Sequence, residues 1–275
     1  MSVAIITDSA AALPANLVAK YGITVVPMWL TVRGMPEPEG ERPLEQLVVE
    51  EDVTTSAPTP GEFETAIKET RADGDGVLVL TIASSMSATH QAALIAAQAV
   101  GGPVRVVDTQ TAGGAEALVV LAAAEAAHEG ASLDEAEARA HAVMDRVRLV
   151  ATMPTLDHLV RSGRVPGVAG WAGRRLGINP LFEFRGGKVH RLRPALSQEA
   201  ALDRIVALVA RGRADGARLH VAALHALAVD IADALLDRVS AVATPATMFV
   251  GEFGPVMVVH TGPGLAGLAW WWETP

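Results

Sequence analysis

The chain of 275 residues contains no cysteine. That absence excludes disulfides, cysteine-based metal sites and a thiol nucleophile. There is no Walker A sequence and no kinase-type glycine loop, so a self-contained kinase is disfavoured, and no GxSxG nucleophile elbow is found. The opening "MSVAIITDSA" lacks a basic stretch followed by a long apolar one, and the later Ala-rich runs are broken by Glu and His before they could span a bilayer. A cytoplasmic location is expected. The formal net charge of −9 disfavours general binding to nucleic acid. Repeats, low-complexity segments and long linkers are missing as well, which predicts halves that pack directly together.

Half of the residues are hydrophobic, enough for a sizeable core. "SVAIITD", "GVLVLTIA" and "VRVVDT" are short runs rich in β-branched residues, each followed by polar or small residues and then a helical segment. This order predicts an N-terminal α/β domain, residues 1–150, with parallel strands and helical crossovers, including an Ala-rich helix from Gly114 to His128. From residue 151 to 275 the texture changes. "NPLFEFRGGKVHRLRP" reads as a hairpin turning at Gly186 and Gly187, which predicts a second domain with antiparallel strands. Near the end, "VMVVHTGPGLAGLAW" reads as two strands flanking His260.

Polar residues gather where the first-half strands are expected to end: Thr7, Asp8 and Ser9; Thr54, Thr55 and Ser56; Ser84, Ser85 and Ser87. Loops at the carboxyl ends of parallel strands bind ligands, and hydroxyls beside free N–H groups at a helix start suit an anion. Each residue taken alone reads equally as an N-cap or turn former. His260 would donate a charge-assisted hydrogen bond to a carboxylate that stabilises its protonated form. Gly262 and Gly264 would let backbone approach a ligand, or serve a tight turn. An alternative is an acyl-processing hydrolase or transferase, with Ser87 or Ser84 as nucleophile, His260 as base and Asp8 or Asp108 as orienting acid.

"TDSAAALP", "TSAPTPGEF", "IASSMSATHQAA", "VVDTQTAGG", "LDHLVRSGRV", "INPLFEFRGGKV" and "HTGPG" occur in the order seen in DegV-family proteins, and the sequence resembles that family from end to end. The resemblance implies a two-domain fold holding a long-chain fatty acid between the domains, with no further cofactor and no metal. It also implies a non-catalytic role, as the acyl-binding subunit that presents the carboxylate to a separate fatty acid kinase. On the matching positions, Thr55, Ser87 and His260 would contact the carboxylate, supported by loops carrying Ser56, Ser84, Ser85, Gly262 and Gly264. Ala88 stands where the family usually has glycine, and Asn179 where it often has lysine.

Large apolar residues such as Phe63, Met86, Leu118, Phe182 and Phe253 are candidates for tail contacts that sequence alone does not separate from core. Between Arg161 and Arg193 lie eight basic residues against the single acid Glu183. That segregation predicts a positive face able to dock an anionic partner or touch a membrane surface transiently. Within it Arg164, Trp171, Arg174 and Arg175 are expected to form a gate or partner-docking element.

Overall fold

The structure, a computed structural model, describes residues 3–47, 52–71, 76–165 and 179–274. The first half runs β1 (Ala4–Asp8), a 3-10 turn (Ser9–Ala11), α1 (Ala15–Tyr21), β2 (Thr24–Val26), β3 (Trp29–Val32), β4 (Met35–Pro38), α2 (Leu44–Leu47) and β5 (Val53–Ser56). It continues through α3 (Pro60–Thr70), β6 (Val77–Thr81), α4 (Thr89–Val100), β7 (Val104–Asp108), α5 (Gly113–His128) and α6 (Leu133–Met144). The second half comprises β8 (Arg148–Thr152), α7 (Asp157–Ser162), β9 (Asn179–Arg185), β10 (Lys188–Ala195), α8 (Gln198–Arg211), β11 (Arg218–His225), α9 (Val229–Ser240), β12 (Thr247–Glu252), α10 (Pro255–Thr261) and β13 (Ala266–Glu273).

Strands β2-β1-β6-β7 form a parallel sheet, as the sequence predicts. Every residue of β6 is buried, which suits an inner strand covered on both faces. Val77 and Val79 pack with Phe63, Ile67 and Ala93 of α3 and α4, whereas Leu78 and Leu80 face the core that contains α5. Helices α3 and α6 each start with a capping box, Thr59 with Glu62 and Ser132 with Glu135, which satisfies orphan N–H groups and fixes where each helix begins.

The other large sheet has the order β10-β9-β8-β13-β11-β12, with antiparallel neighbours except for the parallel pair β11 and β12. The hairpin turn at Gly186 and Gly187 is as expected, both residues having positive φ. Helices α8 and α9 cover one face of this sheet, and α5 packs against the other as well as against β1. α5 is apolar on nearly all sides and almost wholly buried, the pattern required of a helix enclosed between two sheets. Gly114 allows the close approach, since a Cβ there would lie 3.1–3.3 Å from Ala222, Leu224 and Ala269.

Two local expectations are corrected. The run before His260 is the helix α10, not a strand. Pro255 occupies its first turn, and a short apolar run does not distinguish buried helix from buried strand by periodicity. Residues Val53–Ser56 are not a loop ending a parallel strand. They form β5 of a separate antiparallel sheet, β4-β3-β5, in which Leu30 pairs with Thr55. Among the described residues no helix is long and apolar enough to cross a membrane.

Candidate functional site

β1 lies between β2 and β6, so the chain leaves it in one direction and returns on its other side. Such a switch point opens a crevice beyond the carboxyl ends of the strands. Asp8 ends β1 there, its Oδ2 accepting the N–H of Ile82 at 2.9 Å and its Oδ1 that of Ala10 at 3.0 Å. The three-stranded sheet, α10 and the segment after α7 close over this crevice. The result is a cavity of about 160 Å³ lined by Met28, Ile82, Met86, Leu159, Val256 and Met257 on its apolar side. Its polar side carries Thr55, Ser56, Ser87, Arg164, His260 and Thr261.

Thr55 Oγ1 lies 2.8 Å from His260 Nε2. His260 occupies the last turn of α10, and burial followed by the charge of Arg164 pushes its pKa down to about 4. The imidazole is therefore neutral at neutral pH; the protonated form expected from the sequence is the one that a neighbouring carboxylate would stabilise. The cation at this site is Arg164. Its Nη1 donates to the carbonyl of Met86 at 2.9 Å, which ties the guanidinium to the loop that carries Ser87. Sequence reasoning assigned Arg164 to a docking element, but the structure places it in the cavity wall. Arg164 is exposed yet lines the cavity, and charge patterning does not tell which of several exposed arginines borders a pocket.

Ser87 stands on the loop before α4, its Oγ 2.8 Å from Thr89 Oγ1 and accepting the N–H of Thr89 at 3.3 Å. With the Thr89 hydroxyl donating to it, the Ser87 hydroxyl hydrogen is free to turn into the cavity. Ala88 has φ −75°, a conformation that does not require the glycine usual in the family, and it lines the same cavity. Ser56 reaches the cavity edge from the end of β5.

Other expected site residues serve the scaffold. Ser84 bonds Asp108 through its hydroxyl and its N–H, and the Ser85 hydroxyl donates to the Gly187 carbonyl at 2.7 Å, docking the β9–β10 hairpin on the first half. Gly262, at φ +75°, ends α10, and a Cβ there would overlap the ring of His158. Gly264, at φ +85°, would bring a Cβ to 2.7 Å from Pro154. Packing and backbone conformation account for both glycines. Trp171, Arg174 and Arg175 lie outside the described residues. Of the tail candidates, Met86 alone is among the described cavity residues.

A second, wider pocket of about 710 Å³ shares Thr55, Arg164 and His260 with the first and adds Leu44, Leu47, Val53, His158, Arg161 and Val259. The shared residues form the wall between an inner apolar chamber and an outer basic one. No carboxylate is found among the described residues lining either. Among the described residues a serine hydrolase arrangement is not assembled at this cavity. The hydroxyl on His260 Nε2 belongs to Thr55, and buried His260 Nδ1 has no hydrogen-bond partner among the described residues where a triad needs an orienting acid. Among the described residues no cluster suited to a metal ion occurs.

The sequence matches the model of the DegV family of uncharacterised proteins over residues 2–273. It is 37% identical to a DegV domain-containing protein of Streptomyces coelicolor, covering 97% of each chain. The fold superimposes on a fatty-acid-binding DegV family protein from Thermus thermophilus with a TM-score of 0.91 and 30% identity, covering 98% of this chain and 99% of the other. A DegV lipid-binding protein from Thermotoga maritima gives a TM-score of 0.88 at 26% identity, covering 99% of each. Both its sequence and its mixed α/β architecture make this chain a member of the DegV family.

Proposed function

We propose that the protein binds one long-chain fatty acid in the crevice between its two halves and presents the carboxylate to a separate kinase subunit, without performing chemistry itself. The observation that carries this reading is the convergence of Thr55, Ser87, His260 and Arg164 on one small cavity that Ser56 and Thr261 also line and whose other walls are apolar. In the tautomer with the proton on Nε2, neutral His260 donates to Thr55 Oγ1 and leaves the Thr55 hydroxyl to donate to a carboxylate oxygen. Ser87 supplies a second hydroxyl, and Arg164 balances the charge in a place where an unpaired carboxylate would be costly. The fatty-acid-binding and lipid-binding relatives in the same family support the same ligand class.

The cavity is smaller than the roughly 300–1,000 Å³ that encloses a drug-sized ligand. It accommodates the head group and the first carbons. The tail extends by displacing flexible walls, for which Met28, Met86 and Met257 are suited because methionine is unbranched and adaptable. Burying about fourteen methylenes contributes on the order of 11 kcal/mol, before the comparable costs of immobilisation. Affinity thus resides in the tail and orientation in the head group.

In this reading the outer chamber, lined by His158, Arg161 and Arg164, is where a phosphoryl donor bound to the kinase would meet the carboxylate. In the same reading the protein works in the cytoplasm, and the basic segment with Trp171, Arg174 and Arg175 meets the anionic membrane during exchange. Mass spectrometry of lipid released from denatured protein tests the proposal. A stoichiometric acyl chain is expected. Its absence, together with failure to bind a fluorescent fatty acid, would exclude the proposed ligand. The presenting role is tested separately, by acyl phosphate formation when a cognate kinase and ATP are added.

A further inference from the structure

The helix carrying His260 is held at its opposite end by a carboxylate 217 positions away in sequence. Gly254, which precedes α10, has no side chain to cap it, so the first-turn N–H groups need other partners. The N–H of Val256 donates to Glu39 Oε1 at 2.9 Å. Glu39 Oε2 accepts the hydroxyl of Ser9, and Ser9 Oγ accepts the N–H of Met28 at 3.0 Å. Val256 and Met28 are both walls of the inner cavity. Burial raises the pKa of Glu39, while its bonds from Ser9 and Val256 act to lower it. The carboxylate also occupies space that only glycine leaves open, since a Cβ on Gly254 would overlap Glu39 Oε1.

We infer that Glu39 is a positioning residue for the Thr55–His260 pair, fixing the start of α10 to Ser9 and Met28 so that the imidazole stands at the cavity wall. The inference rests on the reading of that pair as part of a carboxylate site. A helix is stiff over one turn, and Val256 and His260 are about 6 Å apart along its axis at 1.5 Å per residue. A tilt or slip of the first turn therefore reaches the imidazole. Hydrogen bonds of about 2.8 Å weaken steeply when donor and acceptor move out of line.

The test uses the full chain, with fluorescent fatty-acid binding and nitrogen-15 NMR of the histidine rings, the His260 signals being assigned by their loss in His260→Gln. Glu39→Ala is expected to shift the His260 signals of the ligand-free protein and to weaken binding by about tenfold or more. Gly254→Ala, which keeps the carboxylate but displaces it, is expected to do the same. Glu39→Gln retains an oxygen acceptor and a polar group in the same space, and is expected to return affinity to within about threefold of the unsubstituted protein. Unmoved His260 signals in both alanine variants overturn the inference, as does a loss in Glu39→Ala that Glu39→Gln does not restore. If the unsubstituted protein binds no fatty acid, the carboxylate reading fails by itself, and the ring signals of the ligand-free variants still decide the positioning role.

Discussion

His260 Nε2 and Thr55 Oγ1 lie 2.8 Å apart, joining the last turn of α10 to the three-stranded sheet across 205 positions of sequence. The contact brings the first and last quarters of the chain together at the mouth of the crevice. The imidazole in this contact is neutral at neutral pH, because burial and the charge of Arg164 both oppose its protonation.

Removal of either hydroxyl is expected to weaken fatty-acid binding while the fold survives. Thr55→Ala and Ser87→Ala should each cost about 1–3 kcal/mol, because a buried carboxylate is left short of a donor. Titration with a fluorescent fatty acid, beside circular dichroism, measures both effects. Unchanged affinity in the two variants would dissociate this cavity from the ligand.

Arg164→Gln has two expected consequences of different kind. Binding of the anion should weaken and lose part of its salt dependence, since a cation has been removed from the site. The pKa of His260 should rise, because the charge of Arg164 is one of the two causes holding it near 4. An imidazole titration by NMR that is the same in both proteins would contradict the placement of Arg164.

Among the groups that make stability depend on pH, Asp8 and His260 act with opposite sign. Burial raises Asp8 from 3.8 to about 7, so its contribution is full below 3.8 and is lost as pH rises through 7. His260 falls from 6.5 to about 4, so its contribution is present above 6.5 and is lost as pH falls through 4. Between about 4 and 6.5 the two slopes oppose each other, each at most about 1.4 kcal/mol per pH unit. Asp8→Asn should make stability rise more steeply with pH, and His260→Gln should make it fall more steeply. Urea denaturation from pH 4.5 to 8 measures the slopes, and three identical profiles would refute the assignment.

Gly262→Ala and Gly264→Ala should each destabilise by more than about 1 kcal/mol, since both positions hold positive φ and a Cβ would press on His158 or Pro154. Thermal denaturation is the measurement. Melting temperatures within a degree of the unsubstituted protein would show that these glycines are not needed for packing.

Much of the architecture is written locally. The β-branched runs ending at Asp8 and Thr81, each followed by a helix, specify parallel strands, because burial on both faces demands continuous apolar residues, while the run ending at Asp108 forms the half-buried edge strand of the same sheet. Gly186 and Gly187 specify their hairpin through positive φ. Thr55, Ser87 and His260, which the resemblance to the family's motifs groups together, line one cavity.

Only the tertiary structure decided how those residues are arranged. A four-residue apolar run before His260 fits strand or helix equally, and α10 formed because Pro255 and a buried surround suit a helix there. Arg164 looks like its basic neighbours in sequence, yet it bonds the Met86 carbonyl and, after burial, contributes to lowering the pKa of His260, since charge patterning carries no direction in space. Ser84 and Ser85 resemble Ser87 but serve Asp108 and Gly187. Glu39 had no sequence signal at all. Its partners Ser9 and Val256 are distant in the chain, and a polar contact between separate elements becomes defined only when packing brings their surfaces together and removes water from both.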